Sequence, residues 1–235
     1  MFDQPSKTMK KYHIETWGCQ MNVADSEEMI SVLEKSSFQK ARDEADADYI
    51  ILNTCHIREK STQKVLSRLG RLDQLRQSNP KLKIAVAGCV AQAEAKSLLK
   101  AKRGIDIILG PSKIAHIAEL YQEAHSANKP VSLVGFDKAQ KEMKIQNPNL
   151  EIKKPVLEGK NSVSRFVNIV QGCNNFCTFC VVPFTRGPEV SKPIEAIKQE
   201  VQSFINNGTK EVTLLGQNVN SYGLDLVKNL SLIHI

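Results

Sequence analysis

The run Asp48-Tyr-Ile-Ile-Leu-Asn53, continuing into Thr54-Cys55-His56, is apolar through its whole middle. A strand with one face in water alternates apolar and polar residues, whereas one covered on both faces does not. Leu82–Ala87 and Ile105–Leu109 share this character, and Tyr12–Trp17 and Val131–Val134 complete a set of five strand candidates. Helix-like segments near Ser26–Lys35, Arg58–Arg76, Ala91–Ala101 and Ser112–His125 fall between them. Strands alternating with helices predict a parallel sheet with helices on both faces. The expectation for residues 1–136 is an α/β domain with a flavodoxin-like, doubly wound sheet.

The rhythm changes after Phe136. Residues 137–162 scatter Lys138, Lys141, Lys144, Lys153, Lys154 and Lys160 among Gln, Asn and Pro with little periodicity. This reads as a solvated linker, with an RNA-binding arm as the alternative. A second βα rhythm follows over 163–235. Arg165–Val170 is a strand candidate, Ser191 offers an N-cap, and Pro193 suits the first helical turn. Ile194, Ile197, Val201, Phe204 and Ile205 form an apolar helix face, Asn207-Gly208 can end it, and Glu211–Leu215 is the next strand. That is about two βα units, the beginning of a barrel that needs several more.

The bulk numbers narrow the function classes. Lys and Arg number 32 against 25 Asp and Glu, giving a formal charge of +7 and a pI near 9.1. The excess favours a polyanionic partner such as RNA. No apolar run approaches a membrane span, and the N-terminus lacks the apolar core of a secretion signal. A cytoplasmic protein is expected, and in a reducing compartment its six cysteines are metal ligands, reactive thiols or buried apolar residues rather than disulfides.

Three of those cysteines form Gln171-Gly-Cys-Asn-Asn-Phe-Cys-Thr-Phe-Cys180, a C-x3-C-x2-C run directly after a strand. Thiolates at this spacing can hold three irons of a [4Fe–4S] cluster and leave the fourth open. An open iron can chelate the amino and carboxylate groups of S-adenosylmethionine (SAM). Electron transfer into the sulfonium then releases a 5′-deoxyadenosyl radical. The competing reading is a zinc site closed by one remote ligand, but no histidine sits at zinc-finger spacing from Cys173, Cys177 and Cys180. Cys19, Cys55 and Cys89 each end one of the first three strand candidates, in TWGCQMN, LNTCHIRE and VAGCVAQ. Parallel strands bring such ends to one edge of the sheet, so the three thiols can share a second cluster. The alternative makes each a small buried apolar residue. Gly216-Gln217-Asn218 follows a strand of the second half, where polar groups face a barrel ligand, although the same residues suit an ordinary turn. Lys64, Arg68 and Arg71 make a basic row along one helix, read as a solvated face or a phosphate-binding stripe.

The runs TWGCQMN, LNTCHIREK, AGCVAQ, DIILGP, VNIVQGCNNFCTFCVVPFTRG and EVTLLGQNVNSYG together resemble the radical-SAM methylthiotransferase family from Tyr12 to Gly223. NTCHIREK and GQNVNSYG resemble the branch that acts on isopentenyladenosine in tRNA more than its siblings. Phe184 stands where a tyrosine is common and Lys192 where an arginine is common. The resemblance implies a SAM-binding [4Fe–4S] cluster on Cys173, Cys177 and Cys180, which serve catalysis, and an auxiliary cluster on Cys19, Cys55 and Cys89. It places Phe179, Gly216, Gln217 and Asn218 near SAM. The implied reaction is 2-methylthiolation of N6-isopentenyladenosine at tRNA position 37, through hydrogen abstraction at C2, sulfur insertion and SAM-dependent methylation. The implied partners are the tRNA anticodon stem–loop, SAM, an electron donor and a sulfur-supply system, with no membrane. The other readings are a sibling enzyme acting on threonylcarbamoyl-adenosine or a ribosomal protein, or a non-catalytic metal-binding RNA adaptor.

Family chains continue through more barrel strands and a β-rich, TRAM-type RNA-binding module. This chain ends at Ile235, and VKNLSLIHI resembles nothing expected there. The expectation is a C-terminally truncated form, inactive by itself, in which His234 is no ligand.

Overall fold

The structure, a computed structural model, describes residues 9–56, 60–101, 104–127, 129–136 and 162–226. Its first part is a six-stranded parallel sheet in the order β2-β1-β3-β4-β5-β6. The strands are β1 (Lys10–Trp17), β2 (Phe38–Lys40), β3 (Tyr49–Thr54), β4 (Lys83–Gly88), β5 (Ile107–Leu109) and β6 (Val131–Leu133). Four helices connect them: α1 (Gln20–Lys35), α2 (Ser61–Ser78), α3 (Cys89–Lys100) and α4 (Ile117–Ser126), the last preceded by a 3-10 turn at Pro111–His116. This is the flavodoxin-like, doubly wound layer that the sequence predicts.

The apolar run of β3 explains the layering. All six of its residues are buried, and the pleat sends alternate side chains to opposite faces. Tyr49 and Ile51 enter a core with Met29 and Leu33 of α1 and Ile117 and Tyr121 of α4. Ile50 and Leu52 enter the other, with Val65, Leu69 and Leu72 of α2 and Leu98 of α3. Each such side chain contributes about 1.5–3 kcal/mol through burial, so the strand ties the two layers together.

Two local expectations are revised. The sixth strand, β2, is an edge of three residues in which Phe38 alone is buried, so it carries no period to read. Helix α1 begins at Gln20, not near Ser26, because Asn22, Asp25 and Ser26 of its early turns are buried polar residues and mask the apolar stripe. The basic row on α2 is not a uniform face either. Arg68 bonds Glu15 at 2.6 and 2.9 Å and also pairs with Glu44, which removes it from any phosphate stripe.

The linker expected over 137–162 lies outside the described residues except for Ser162. Beyond it, β7 (Ser164–Asn168) pairs in parallel with β10 (Glu211–Leu215). Between them run β8 (Val170–Gln171), the short helix α5 (Val182–Thr185), β9 (Val190–Ser191) and helix α6 (Ile194–Asn206). Val167, Ile169, Val170, Ile197 and Phe204 form its core. These are the first βα units of a partial barrel. The expected strand Arg165–Val170 breaks at Ile169, because Val170 and Gln171 turn aside to pair antiparallel with Ser191 and Val190. Ser191 therefore does not cap α6, and Pro193 takes the N-cap position. The Ser191 N–H donates to Asp225 at 2.8 Å and its hydroxyl accepts from the Gly223 N–H at 2.9 Å.

Helix α1 also joins the two parts. Its Met21 and Ala24 pack with Leu215 and Phe166, Arg165 lies 3.7 Å from Glu27, and Arg186 forks onto Asp25 at 3.1 and 2.6 Å. Among the described residues, no helix is long and apolar enough to cross a membrane.

Candidate metal centres

Cys19, Cys55 and Cys89 lie where the sheet changes direction. Strands β2 and β3 flank β1, so the crossovers leaving β1 and β3 run to opposite sides, and ligand sites form at the carboxyl ends beside such a switch. Trp17 pairs with Thr54, and Thr54 with Gly88, so the residues that follow emerge side by side. Cys19 is the N-cap of α1 and Cys89 the first residue of α3. Both thiols sit at the positive ends of helices, which favours thiolate and anionic ligands.

A polar lattice backs this edge. The Cys19 N–H donates to Asn22 Oδ1 at 3.3 Å. Asn22 Nδ2 donates to Asn53 Oδ1 at 3.3 Å, and Asn53 Nδ2 donates to the Asn22 carbonyl and to Ser26 Oγ, both at 2.8 Å. Asn22 and Asn53 are fully buried, so these bonds satisfy groups that water cannot reach. Gly88 has φ +86°, and a Cβ there would stand 2.5 Å from Asn53 Oδ1 and 2.6 Å from the Thr54 carbonyl oxygen. Only glycine brings α3 and its first cysteine this close to β3.

The three thiols are not equivalent. Hydrogen bonding to Cys55 pulls Cys19 down to about 5 against the effect of burial, with backbone N–H groups of α1 and the charge of Arg186 adding to the fall. Burial pushes Cys89 up, and Arg186 beside it offsets part of that rise. Cys19 is exposed, whereas Cys55 and Cys89 are buried.

The second trio occupies one loop. Cys173 is buried, Cys180 half-buried and Cys177 exposed. The β8–β9 ribbon closes its base, the Cys173 N–H donates to the Gly187 carbonyl at 3.2 Å, and Cys177 and Cys180 share a turn bond of 2.9 Å. Gly172 has φ +84°, and its missing side chain leaves room for the Pro188 carbonyl.

The residues expected near SAM surround this loop in different ways. Gln217 Oε1 accepts from the Gly172 N–H at 2.5 Å, bracing the loop from the end of β10. Gly216 packs so closely on Val170 that a Cβ would meet its Cγ1 at 2.3 Å. Asn218 opens a short 3-10 turn and is half-buried. Phe179 is 94% exposed, with Phe176 and Phe184 also open on this side. Asn168 Oδ1 and Gln171 Nε2, on the strands entering the loop, are buried without a hydrogen-bond partner among the described residues.

Among the described residues, no three His, Cys, Asp or Glu side chains gather tightly enough to hold a single metal ion. Cys19 is influenced most by Cys55, and Cys89 by its burial and then by the charge of Arg186. A cubane spreads its thiolate ligands more widely than one ion does. The donor chemistry of both trios fits such a cluster: three thiols each, helix N-termini behind the first, and a braced loop with unpaired amide groups beside the second.

Known proteins match both parts of the chain. Residues 11–110 match the uncharacterized protein family UPF0004, and residues 167–234 match the radical SAM superfamily. Over 213 residues, 91% of this chain, it is 41% identical to tRNA-2-methylthio-N(6)-dimethylallyladenosine synthase of Ruegeria sp. strain TM1040. Proteins of the same name from Ruegeria pomeroyi and Buchnera aphidicola are 42% and 43% identical over the same length.

The chain belongs to the radical-SAM methylthiotransferase family.

It spans about half the length of these relatives, 46% in each case. Asp25 and Arg186 neighbour the first trio, and no sequence motif pointed to them. Asp25 lies three residues past the TWGCQMN run, Arg186 sits near the end of the run that carries the second trio, and their pairing spans 161 positions.

Proposed function

We propose that this chain carries the two cluster-binding parts of a tRNA methylthiotransferase that converts N6-isopentenyladenosine at tRNA position 37 to its 2-methylthio form. The observation that supports this most is the pair of cysteine trios, one at three adjoining strand ends and one on a single braced loop, in a chain 41–43% identical to synthases of that name. In this reading Cys173, Cys177 and Cys180 hold a SAM-binding [4Fe–4S] cluster, and Cys19, Cys55 and Cys89 hold an auxiliary one. When bound, the first cluster and SAM supply radical chemistry able to remove hydrogen from an unreactive C–H bond.

The protein's own residues supply position and polarity. Gln217 and the β8–β9 ribbon fix the base of the cysteine loop, so the cluster-binding thiol of Cys173 is held while the tip stays open to SAM. Phe179 offers an exposed ring for stacking, and in this reading Gly216 and Asn218, on either side of the bracing Gln217, contribute further SAM contacts. The helix N-termini behind Cys19 and Cys89 stabilise thiolates for the auxiliary cluster, from or through which sulfur reaches the base. The basic surface suits the phosphates of an anticodon stem–loop whose unstacked base enters between the sites. An electron donor and a sulfur-supply system complete the cycle in the cytoplasm.

After anaerobic reconstitution, the chain is expected to carry about eight irons, from two four-iron clusters. Replacing Cys173, Cys177 and Cys180 by alanine should leave about half. Iron that never exceeds one cluster in the intact chain defeats the two-cluster reading. The substrate is tested by mass spectrometry of tRNA nucleosides from a strain lacking the gene. Loss of 2-methylthio-isopentenyladenosine is expected, and an unchanged level rules this substrate out.

A further inference from the structure

Arg186 lies six residues beyond Cys180, yet its guanidinium is buried against the N-terminal part. Its Nη1 and Nη2 donate to the two oxygens of Asp25 at 3.1 and 2.6 Å, and both side chains are under 5% exposed. The charge of the same guanidinium is felt at both Cys89 and Cys19. Helix α5, which carries the chain to Arg186, packs on α3, which begins at Cys89. We propose that Arg186 is a positioning residue for the auxiliary cluster, donating a hydrogen bond to the Cys89 sulfur from the half of the chain that binds the other cluster.

The chemistry of the pair fits this role. Arginine offers five donors in a rigid plane, so a bidentate grip by Asp25 leaves others free to aim at a sulfur. An isolated buried cation is costly, and Asp25 removes that cost while fixing the plane of the fork. Burial opposes the charge of Arg186, and the bidentate Asp25 carboxylate compensates it. Hydrogen bonds to cluster sulfurs withdraw electron density and raise the reduction potential. The auxiliary site is therefore completed by the radical-SAM half, and its potential depends on that half being docked. This rests on the two-cluster reading above.

The test uses the 235-residue chain with Cys173, Cys177 and Cys180 replaced by alanine, so that after reconstitution only the auxiliary trio holds a cluster. Into this background go Arg186→Gln and Asp25→Asn together, which removes the cation and its counter-charge at once and leaves no buried charge unpaired. Iron and sulfide per chain and the midpoint potential, followed by electron paramagnetic resonance during reductive titration, are the readouts. The double variant should load iron as its parent does and reduce at a lower potential. At fixed poise the ratio of reduced to oxidised cluster should fall about tenfold, equivalent to about 59 mV for one electron. Arg186→Lys keeps the cation beside Asp25 but loses the fork, and should shift the potential in the same direction by less. Arg165→Gln cuts the other seam pair, Arg165–Glu27, without touching a cysteine, and should leave the potential where it was. A parent-like potential in both Arg186 variants overturns the proposal, as does an equal fall in Arg165→Gln, which would assign the effect to docking. If the background chain binds no cluster, the two-cluster reading itself has failed. A cluster present with unmoved potential sinks Arg186 alone.

Discussion

The two cysteine trios present the same three thiols in opposite ways. Cys173, Cys177 and Cys180 sit on one loop, closed at its base by β8 and β9 and open at its tip. Cys19, Cys55 and Cys89 come from three separate strand ends and are close because the sheet holds them so. A loop site needs little beyond its own spacing, whereas a strand-end site is only as good as the domain beneath it. Damage to the scaffold should therefore empty one site and spare the other.

Gly88 and Gly172 put that contrast to its strongest test. Each precedes a cysteine, has a positive φ and leaves no room for a Cβ. Gly88→Ala strains the joint between β4 and α3 and drives a methyl into Asn53 and the Thr54 carbonyl, inside the buried core. The expected cost is about 2–5 kcal/mol of N-terminal stability, together with loss of auxiliary iron. Gly172→Ala clashes with the Pro188 carbonyl at 2.0 Å, in a loop that lies outside both N-terminal core clusters. It should lose the iron of the second trio while urea unfolding of the N-terminal part stays within about 0.5 kcal/mol of the parent. If Gly172→Ala destabilises the N-terminal part as much as Gly88→Ala does, the loop site depends on the N-terminal domain as the strand-end site does.

A gentler test leaves the sequence alone. Alkylation of the metal-free chain, followed by peptide mass spectrometry, should modify Cys177 and Cys19 first, because both are exposed and Cys19 is held well toward thiolate. Cys180 should follow, and Cys55, Cys89 and Cys173 should react last, as buried thiols do. The informative comparison is Cys55 with Cys177. They belong to different trios, and rates within a few-fold of each other would mean that the sheet edge is open.

The same contrast decides what could be read beforehand. The loop trio announces itself by spacing, and the strand-end trio follows once β1, β3 and β4 are recognised from their apolar runs. What carries no local period stayed hidden. β2 buries Phe38 alone. The early turns of α1 bury Asn22, Asp25 and Ser26, which as isolated letters look like a loop. Ser191 has the right chemistry for an N-cap but spends its hydrogen bonds on Gly223 and Asp225. Gln217 reads as a ligand contact from its place after a strand, and its first partner is the Gly172 backbone. Arg186 lies in a recognisable motif, but the carboxylate that gives it meaning belongs to another domain. Pairings of that range depend on how the two halves dock, and no sequence window contains both.

The smallest expected effect concerns the second ion pair of that seam. Glu27 is pushed above the usual carboxylate value of 4.5 by burial, and Arg165 only partly offsets this. A carboxyl group whose folded value is raised binds its proton more tightly in the folded state. It therefore costs nothing below its unfolded value and weakens the fold progressively as pH rises through the folded value. Glu27→Gln removes this burden without changing the side chain's size. The variant should match the parent near pH 4, where both side chains are neutral, and gain on it between pH 5 and pH 7, as read by paired thermal unfolding curves. By contrast, Asp25→Asn should lose stability over the whole neutral range, because it strips the counter-charge from an arginine that cannot give up its own. A Glu27→Gln variant that loses stability as Asp25→Asn does would make the two seam pairs equivalent. Arg186 would then hold the halves together no differently from Arg165.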